Sequence, residues 1–310
     1  MRAVVFAYSN VGDRCLRVLR ARGIDVPLVV THRDAPGETL WFRRVADTAR
    51  DLDLPVLFND APADPDLRAA VEAARPDLIF SFYFRSMLSM EILQSATRGA
   101  FNMHGSLLPR YRGRAPTNWA VLHDERETGA TLHEMVAKPD AGRIVDQQAV
   151  PILPDDTARE VFDKVTVAAE QVLWRSVPAI VAGTVAYRPN DLARGSYFGA
   201  RRPEDGRIDW SRPARAVYAL IRAVAPPYPG AFTDVAGTRV VVGAARMAPA
   251  TAMSAPTRSP GLHVVDGRIV AVCGDGGAIE IRELLANGAP LAAESLRTLL
   301  GAPQREGSLQ

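Results

Sequence analysis

Apolar residues follow two rhythms along the first half of the chain. Residues 3–7 form an apolar run, 11–19 repeat apolar side chains at helical spacing, and 26–30 form a second apolar run, giving strand, helix, strand. The alternation continues with a helix near 40–52, a strand at 55–58, a helix near 66–74, the apolar stretch 78–84 and a strand at 99–104. Strands that read as continuous apolar runs are buried on both faces, which predicts a parallel-type sheet covered by helices. The expected fold class is therefore α/β, with a Rossmann-like, doubly wound domain. A loop rich in Pro, Arg and Gly at 107–116 precedes two further strands, at 131–136 and 144–152. Thr157 and Glu160 then form a capping box ahead of Val161, Val165, Ala168 and Val172, so a long helix closes this domain near residue 182.

Beyond residue 186 the pattern changes. Residues 187–213 carry Arg188, Pro189, Asn190 and Gly195 and read as a linker. A helix follows at 214–224, then a turn built on Pro226, Pro227, Pro229 and Gly230. Short segments at 238–242, 268–272 and 278–281, separated by glycine turns, predict a small antiparallel, OB-like β-barrel domain over 214–303, with a frayed tail after Gly301.

A length of 310 residues suits one large domain or a medium domain with a smaller companion, at roughly 100–200 residues each. The 37 basic and 35 acidic residues leave a formal charge of +2, and no run of five or more like charges occurs. That balance predicts a small-molecule partner rather than a nucleic acid. Cys15 and Cys273 are too few for a disulfide framework and too far apart for a zinc knuckle. With no window of 18 apolar residues and no signal-peptide pattern at the start, the expectation is a cytoplasmic protein with no membrane insertion.

Most motif chemistry is excluded. Gly274, Gly276 and Gly277 superficially resemble a dinucleotide loop, but no helix follows, and a hairpin turn fits them better. The first strand-to-helix junction carries the single Gly12, there is no Walker loop or nucleophile elbow, and the five histidines lack ligand spacing, so no metal is expected. The informative stretch is FNMHGSLLPRYRGRAPTNW at 101–119. Asn102 and His104 lie two apart near a strand end and would project to one side, into a site at the carboxyl edge of the sheet. Arg110, Arg112 and Arg114 follow in the loop, and Asp140, in the tight turn 138–142, lies where its carboxylate could reach His104. Taken singly, each is ordinary: a core amide, a buried histidine, an aspartate that starts a turn.

Taken together, Asn102, His104 and Asp140, with SLLPRYRG at 106–113, resemble the active site of the folate-dependent formyltransferases. The segments FAYSNVG at 6–12, THRDAPGE at 31–38, IFSFYFR at 79–85, RGRAPTNW at 112–119 and PPYPGAF at 226–232 are most similar to the members that formylate UDP-4-amino-4-deoxy-L-arabinose in polymyxin resistance. The likeness runs from residue 1 to about 301. It implies that residues 1–186 form the catalytic domain, that Asn102, His104 and Asp140 are catalytic, and that 10-formyltetrahydrofolate is the formyl donor. It also implies a folate pocket lined by Ser86, Met87, Leu88, Arg114, Val136, Ala137, Lys138 and Pro139, with a UDP-amino sugar as acceptor. A dehydrogenase/decarboxylase activity found fused to such members is not expected of these 310 residues. Tyr228 stands where tryptophan is expected, and Ser9 and Asn10 also depart, which bears on acceptor preference. The alternatives are a methionyl-tRNA formyltransferase, a formyltransferase for a dTDP-linked amino sugar, and a catalytically silent folate- or nucleotide-binding module.

Overall fold

The structure is a computed structural model that describes residues 1–34, 40–61, 64–248 and 259–301. The tail expected to fray after Gly301 lies outside the described residues. The chain divides into two compact units: the first takes Met1–Thr117, Glu127–Pro151 and Val161–Ala200, the second Asn118–Arg126, Ile152–Glu160 and Arg201–Gln310. Of the stretch expected as a linker, residues up to Ala200 group with the first unit and those from Arg201 with the second.

The first unit runs β1 (Arg2–Ala7), α1 (Ser9–Ala21), β2 (Asp25–Thr31), α2 (Val45–Asp51), β3 (Val56–Phe58), α3 (Pro65–Ala73), β4 (Leu78–Phe82), α4 (Met90–Gln94) and β5 (Ala100–His104). After the two-residue strand β6 (Arg112–Gly113) come α5 (Pro116–Leu122), which falls in the second unit from Asn118 on, β7 (Glu127–Glu134), β8 (Ile144–Pro151), α6 (Ala158–Ala182), which belongs to the first unit from Val161 on, and the short β9 (Tyr197–Phe198). Among the described residues one sheet has the order β3-β2-β1-β4-β5-β7-β8. Its first five strands are parallel, as the apolar runs predict, and β1 and β4 are buried almost throughout. One side of the core gathers Val4, Phe6, Val30, Leu67, Val71, Ile79 and Ile92.

Two strands depart from the parallel plan. β7 pairs antiparallel with β5, and β8 antiparallel with β7. The connection 135–143 is too short for the crossover of a dozen or more residues that a parallel neighbour needs, so the chain turns back as a hairpin. β7 starts at Glu127, earlier than the predicted 131. α2 starts at Val45, not near 40, because tertiary contacts hold the preceding residues out of the helix: Trp41 packs edge-on to Phe162, Phe42 edge-on to Tyr8, and Arg43 N–H donates to Asn10 Oδ1 at 2.8 Å. The capping box forms as expected, Thr157 N–H donating to Glu160 Oε2 at 2.7 Å and Glu160 N–H to Thr157 Oγ1 at 3.3 Å. At the carboxyl edge, His32 ties β2 to β4. Its Nδ1–H donates to Asp60, its Nε2 accepts from Arg85 N–H at 2.9 Å, and its ring stacks on Phe84.

The second unit contains α7 (Ala214–Val224), β10 (Ala231–Val235), β11 (Thr238–Met247), β12 (Gly261–Val265), β13 (Arg268–Val272), β14 (Ala278–Ala286), β15 (Ala289–Pro290) and α8 (Ala293–Gly301). The strands form an antiparallel, OB-like half-barrel in the order β10-β11-β14-β13-β12, with β15 on β14. Three two-residue turns, Ala236-Gly237, Asp266-Gly267 and Asn287-Gly288, have positive φ at both residues, the twist that tight hairpins demand. The glycines at 274–277 close the β13–β14 hairpin, as the sequence suggests. There Asp275 accepts from Gly277 N–H and also from Ala214 N–H, which caps α7. Buried Arg222 of α7 donates to Asp124 and to the Asp156 carbonyl, binding together three stretches distant in sequence. No helix among the described residues is long and apolar enough to cross a membrane.

Candidate active site

The carboxyl ends of β4 and β5 open into a cavity of about 420 Å³ formed by residues of the first unit, a volume suited to a small-molecule ligand. Immediately after β4, Tyr83 turns with φ +57°, an uncommon conformation for a residue with a bulky side chain. Its ring lines the cavity, and its hydroxyl takes the space where a Cβ on Gly105 would lie. Gly105, directly after His104, therefore has no room for a side chain.

Asn102, His104 and Asp140 all line this cavity, joined there by His133. Asn102 on β5 sits opposite His133 on β7, and its Nδ2 lies 3.1 Å from His133 Nε2. His133 Nδ1 lies 2.7 Å from the Glu134 carbonyl, so Nδ1 carries a hydrogen and, in the neutral ring, Nε2 accepts from the amide. One amide hydrogen of Asn102, which lines the cavity, is thereby committed, and its second is left for another partner. For His104 the same reasoning runs through Nε2, which is 2.8 Å from the Tyr111 carbonyl and must be the donor. Nδ1 is then the nitrogen that gains and loses a proton. It faces Asp140 Oδ1 at 3.5 Å, and the same oxygen is 3.5 Å from His133 Nε2.

The electrostatics follow from burial. Desolvation pushes His104 below the ordinary imidazole range of about 6.5, and the raising effects of the Asp140 charge and the Tyr111 carbonyl recover only part of it; His133 and Arg112 add to the lowering. Burial works to raise Asp140, but attraction to His104, contact with His133 and the Gly113 N–H at 2.9 Å outweigh it and hold its carboxyl well below the carboxylate range. At neutral pH the pair is a carboxylate facing a neutral imidazole whose Nδ1 is open to a proton.

Of the residues expected around a folate, Ser86, Met87, Leu88, Arg114, Val136 and Pro139 line the cavity, while Ala137 and Lys138 lie on the same turn without lining it. Of the loop arginines, Arg112 is buried behind the site and Arg110 lies over the Tyr111 ring. His133 and Tyr83 escaped the sequence reading. His133 was detectable only with the β5–β7 register in hand, since a histidine in a mixed strand gives no signal by itself. Among the described residues no cluster of His, Cys, Asp or Glu fits a metal ion.

The family model described as formyl transferase matches residues 1–177, and that described as formyl transferase, C-terminal domain, matches 201–298. Among solved structures, an N-formyltransferase from Helicobacter canadensis, in complex with folinic acid and dTDP-3-aminofucose, is 18% identical with a TM-score of 0.69, covering 90% of this chain and 98% of that one. WlaRD, a sugar 3N-formyl transferase solved with dTDP and 5-N-formyl-THF, is 18% identical with a TM-score of 0.70, covering 94% and 98%. HypX from Aquifex aeolicus, in complex with tetrahydrofolic acid, is 20% identical with a TM-score of 0.65; 96% of this chain matches 47% of that one. At these identities the structural likeness is one of fold. The chain belongs to the formyl transferase family.

Proposed function

We propose that this formyl transferase moves a formyl group from 10-formyltetrahydrofolate to the amine of a nucleotide-linked amino sugar. The observation that carries the reading is the convergence of Asn102, His104 and Asp140 on one cavity at the carboxyl edge of the sheet. As the acceptor nitrogen bonds to the formyl carbon, Nδ1 of His104 takes its proton, a transfer suited to an imidazole held neutral beside a carboxylate. The carbonyl oxygen becomes an oxyanion, and the second N–H of Asn102 stabilises it, a contact worth about 3 kcal/mol in such sites. When the bond from the formyl carbon to the folate nitrogen breaks, His104 returns the proton to that nitrogen. The wall formed by Met87, Leu88, Val136 and Pro139 offers the donor an apolar face, and Arg114 a positive charge.

For the acceptor, UDP-4-amino-4-deoxy-L-arabinose is favoured by the segments at 79–85, 112–119 and 226–232, and would make this the counterpart of the formyltransferase part of the polymyxin-resistance protein ArnA, serving lipid A modification. A dTDP-linked amino sugar is the second reading, favoured by the nucleotides named for two of the structural neighbours. A formal charge of +2 with acids interspersed speaks against methionyl-tRNA, whose phosphates call for a clustered basic surface. The test is kcat/KM with one folate donor at physiological salt, across UDP- and dTDP-linked amino sugars and methionyl-tRNA. The highest value is expected with the UDP sugar; a higher one with a dTDP sugar changes the acceptor and keeps the chemistry, and a higher one with tRNA overturns the assignment.

A further inference from the structure

The segment 190–198, read from sequence as linker, makes hydrogen bonds to the residues that hold His104 and Asp140. Nδ2 of Asn190 donates to the carbonyls of both Asp140 and Gly142, each at 3.0 Å. At these carbonyls the chain turns sharply, with Asp140 at φ +50°, the left-handed conformation that aspartate tolerates in turns. Reversing the Asn190 amide would set its oxygen against two carbonyl oxygens, so its orientation is fixed. Further along, Ser196 Oγ accepts from Tyr111 N–H at 2.8 Å, and the Ser196 carbonyl accepts from Arg112 N–H at 3.0 Å. Phe198 stacks on the Tyr111 ring, and its carbonyl accepts from Arg114 N–H at 2.9 Å. The Tyr111 carbonyl is the group that receives Nε2–H of His104.

We propose that Asn190 and Ser196 are positioning residues for the proton transfer, Asn190 by fixing the turn that presents the Asp140 carboxylate and Ser196 by holding, through its hydroxyl, the N–H of Tyr111, the residue whose carbonyl orients the His104 ring. The proposal rests on the reading of His104 and Asp140 as the reacting pair. A segment that merely anchored a loop would contribute to stability alone. One that positions the pair must also change how His104 takes up a proton. Four groups act on that ring: Asp140 from the turn, the Tyr111 carbonyl from the loop before β6, His133 from β7 and Arg112 from β6. The first two favour the protonated ring, so loosening either one moves the His104 titration to lower pH.

The experiment compares wild type with Asn190→Leu, Ser196→Ala and the conservative Asn190→Gln in the full chain. Two readouts are taken: steady-state kinetics with 10-formyltetrahydrofolate and the amino-sugar nucleotide, and titration of the His104 ring nitrogens by NMR. The expected result is a loss of about 10- to 100-fold in kcat with little change in donor KM, as a small misplacement of reacting groups produces. It comes with a His104 titration shifted to lower pH in Asn190→Leu and Ser196→Ala, and with partial recovery of both in Asn190→Gln. Should Asn190→Leu not fold, Asn190→Ser withdraws the donor from both carbonyls with a smaller polar side chain and carries the same comparison. Folded variants with unchanged kcat and an unmoved titration overturn the proposal, even if they melt at lower temperature. The titration needs no acceptor, so it still decides the positioning role if no amino sugar is formylated by the wild type, an outcome that overturns the proposed function by itself.

Discussion

The side-chain amide of Asn102 is held by the imidazole of His133, Nδ2 to Nε2 at 3.1 Å, across the register pair that joins β5 to β7. His133 Nδ1–H is spent on the Glu134 carbonyl, so in the neutral ring Nε2 accepts from the amide and fixes which way the amide is turned. His133→Leu removes that constraint. The expected outcome is a fall in kcat of about 10-fold with donor KM nearly unchanged, since the lost contact serves the developing oxyanion and not the bound donor. An increase in donor KM alone, measured under saturating acceptor, contradicts it.

The pH dependence follows from the burial of His104. The reaction needs the neutral ring, so kcat/KM rises with pH and its acid limb has a midpoint below the ordinary 6.5 of a free imidazole. His104→Ala, in a protein that still binds donor, lowers turnover by about 10²- to 10⁴-fold. A limb at or above 6.5 in the wild-type profile argues for another base.

Asp140→Asn takes away the charge that favours the protonated His104 while keeping the size of the side chain. The acid limb moves further to lower pH, because the lowering effects of burial, His133 and Arg112 remain and the opposing one is gone. The same substitution alters stability with a definite sign. Asp140 is held below its ordinary 3.8, so its contribution is present above that pH and is lost as pH falls through the depressed value. In acid unfolding, the stability difference between wild type and Asp140→Asn should therefore be constant above about pH 3.8 and shrink progressively as pH falls below it. Parallel unfolding curves across that range count against the pairing.

Gly105→Ala forces a Cβ onto the Tyr83 hydroxyl beside the reacting histidine. Overpacking of this kind typically costs about 1–3 kcal/mol. Because both residues line the cavity, acceptor KM should rise together with the loss of stability. Tyr83→Phe in the same background relieves part of both, and the two substitutions are expected to be non-additive. Additive effects in the double-mutant cycle place the damage elsewhere.

The parallel strands were legible because a strand buried on both faces can only be written as an apolar run, as in residues 3–7 and 78–82. Asn102 and His104 stood out because two polar side chains at spacing two interrupt such a run at its end. The start of α2 was misread because Trp41, Phe42 and Arg43 suit a helix locally but are claimed by Phe162, Tyr8 and Asn10. β6 and β9 have no periodicity at two residues each, so Asn190 and Ser196 looked like linker chemistry. A chain cut after Ala186 loses both of them and Phe198, and it is expected to bind donor poorly in a direct titration.

The second unit does not begin where the first one ends. It includes the strips 118–126 and 152–160, and Arg222 and Tyr218 of its own helix α7 reach Asp124, Asp156 and Asp155 within them. A recombination that moved only the residues after 200 into a relative would thus leave part of the unit behind. Arg222 would then be buried without Asp124 unless both strips travelled with it. Successful chimeras in this family should be those that carry all three pieces, which makes the unit of inheritance here a set of contacts and not a stretch of gene.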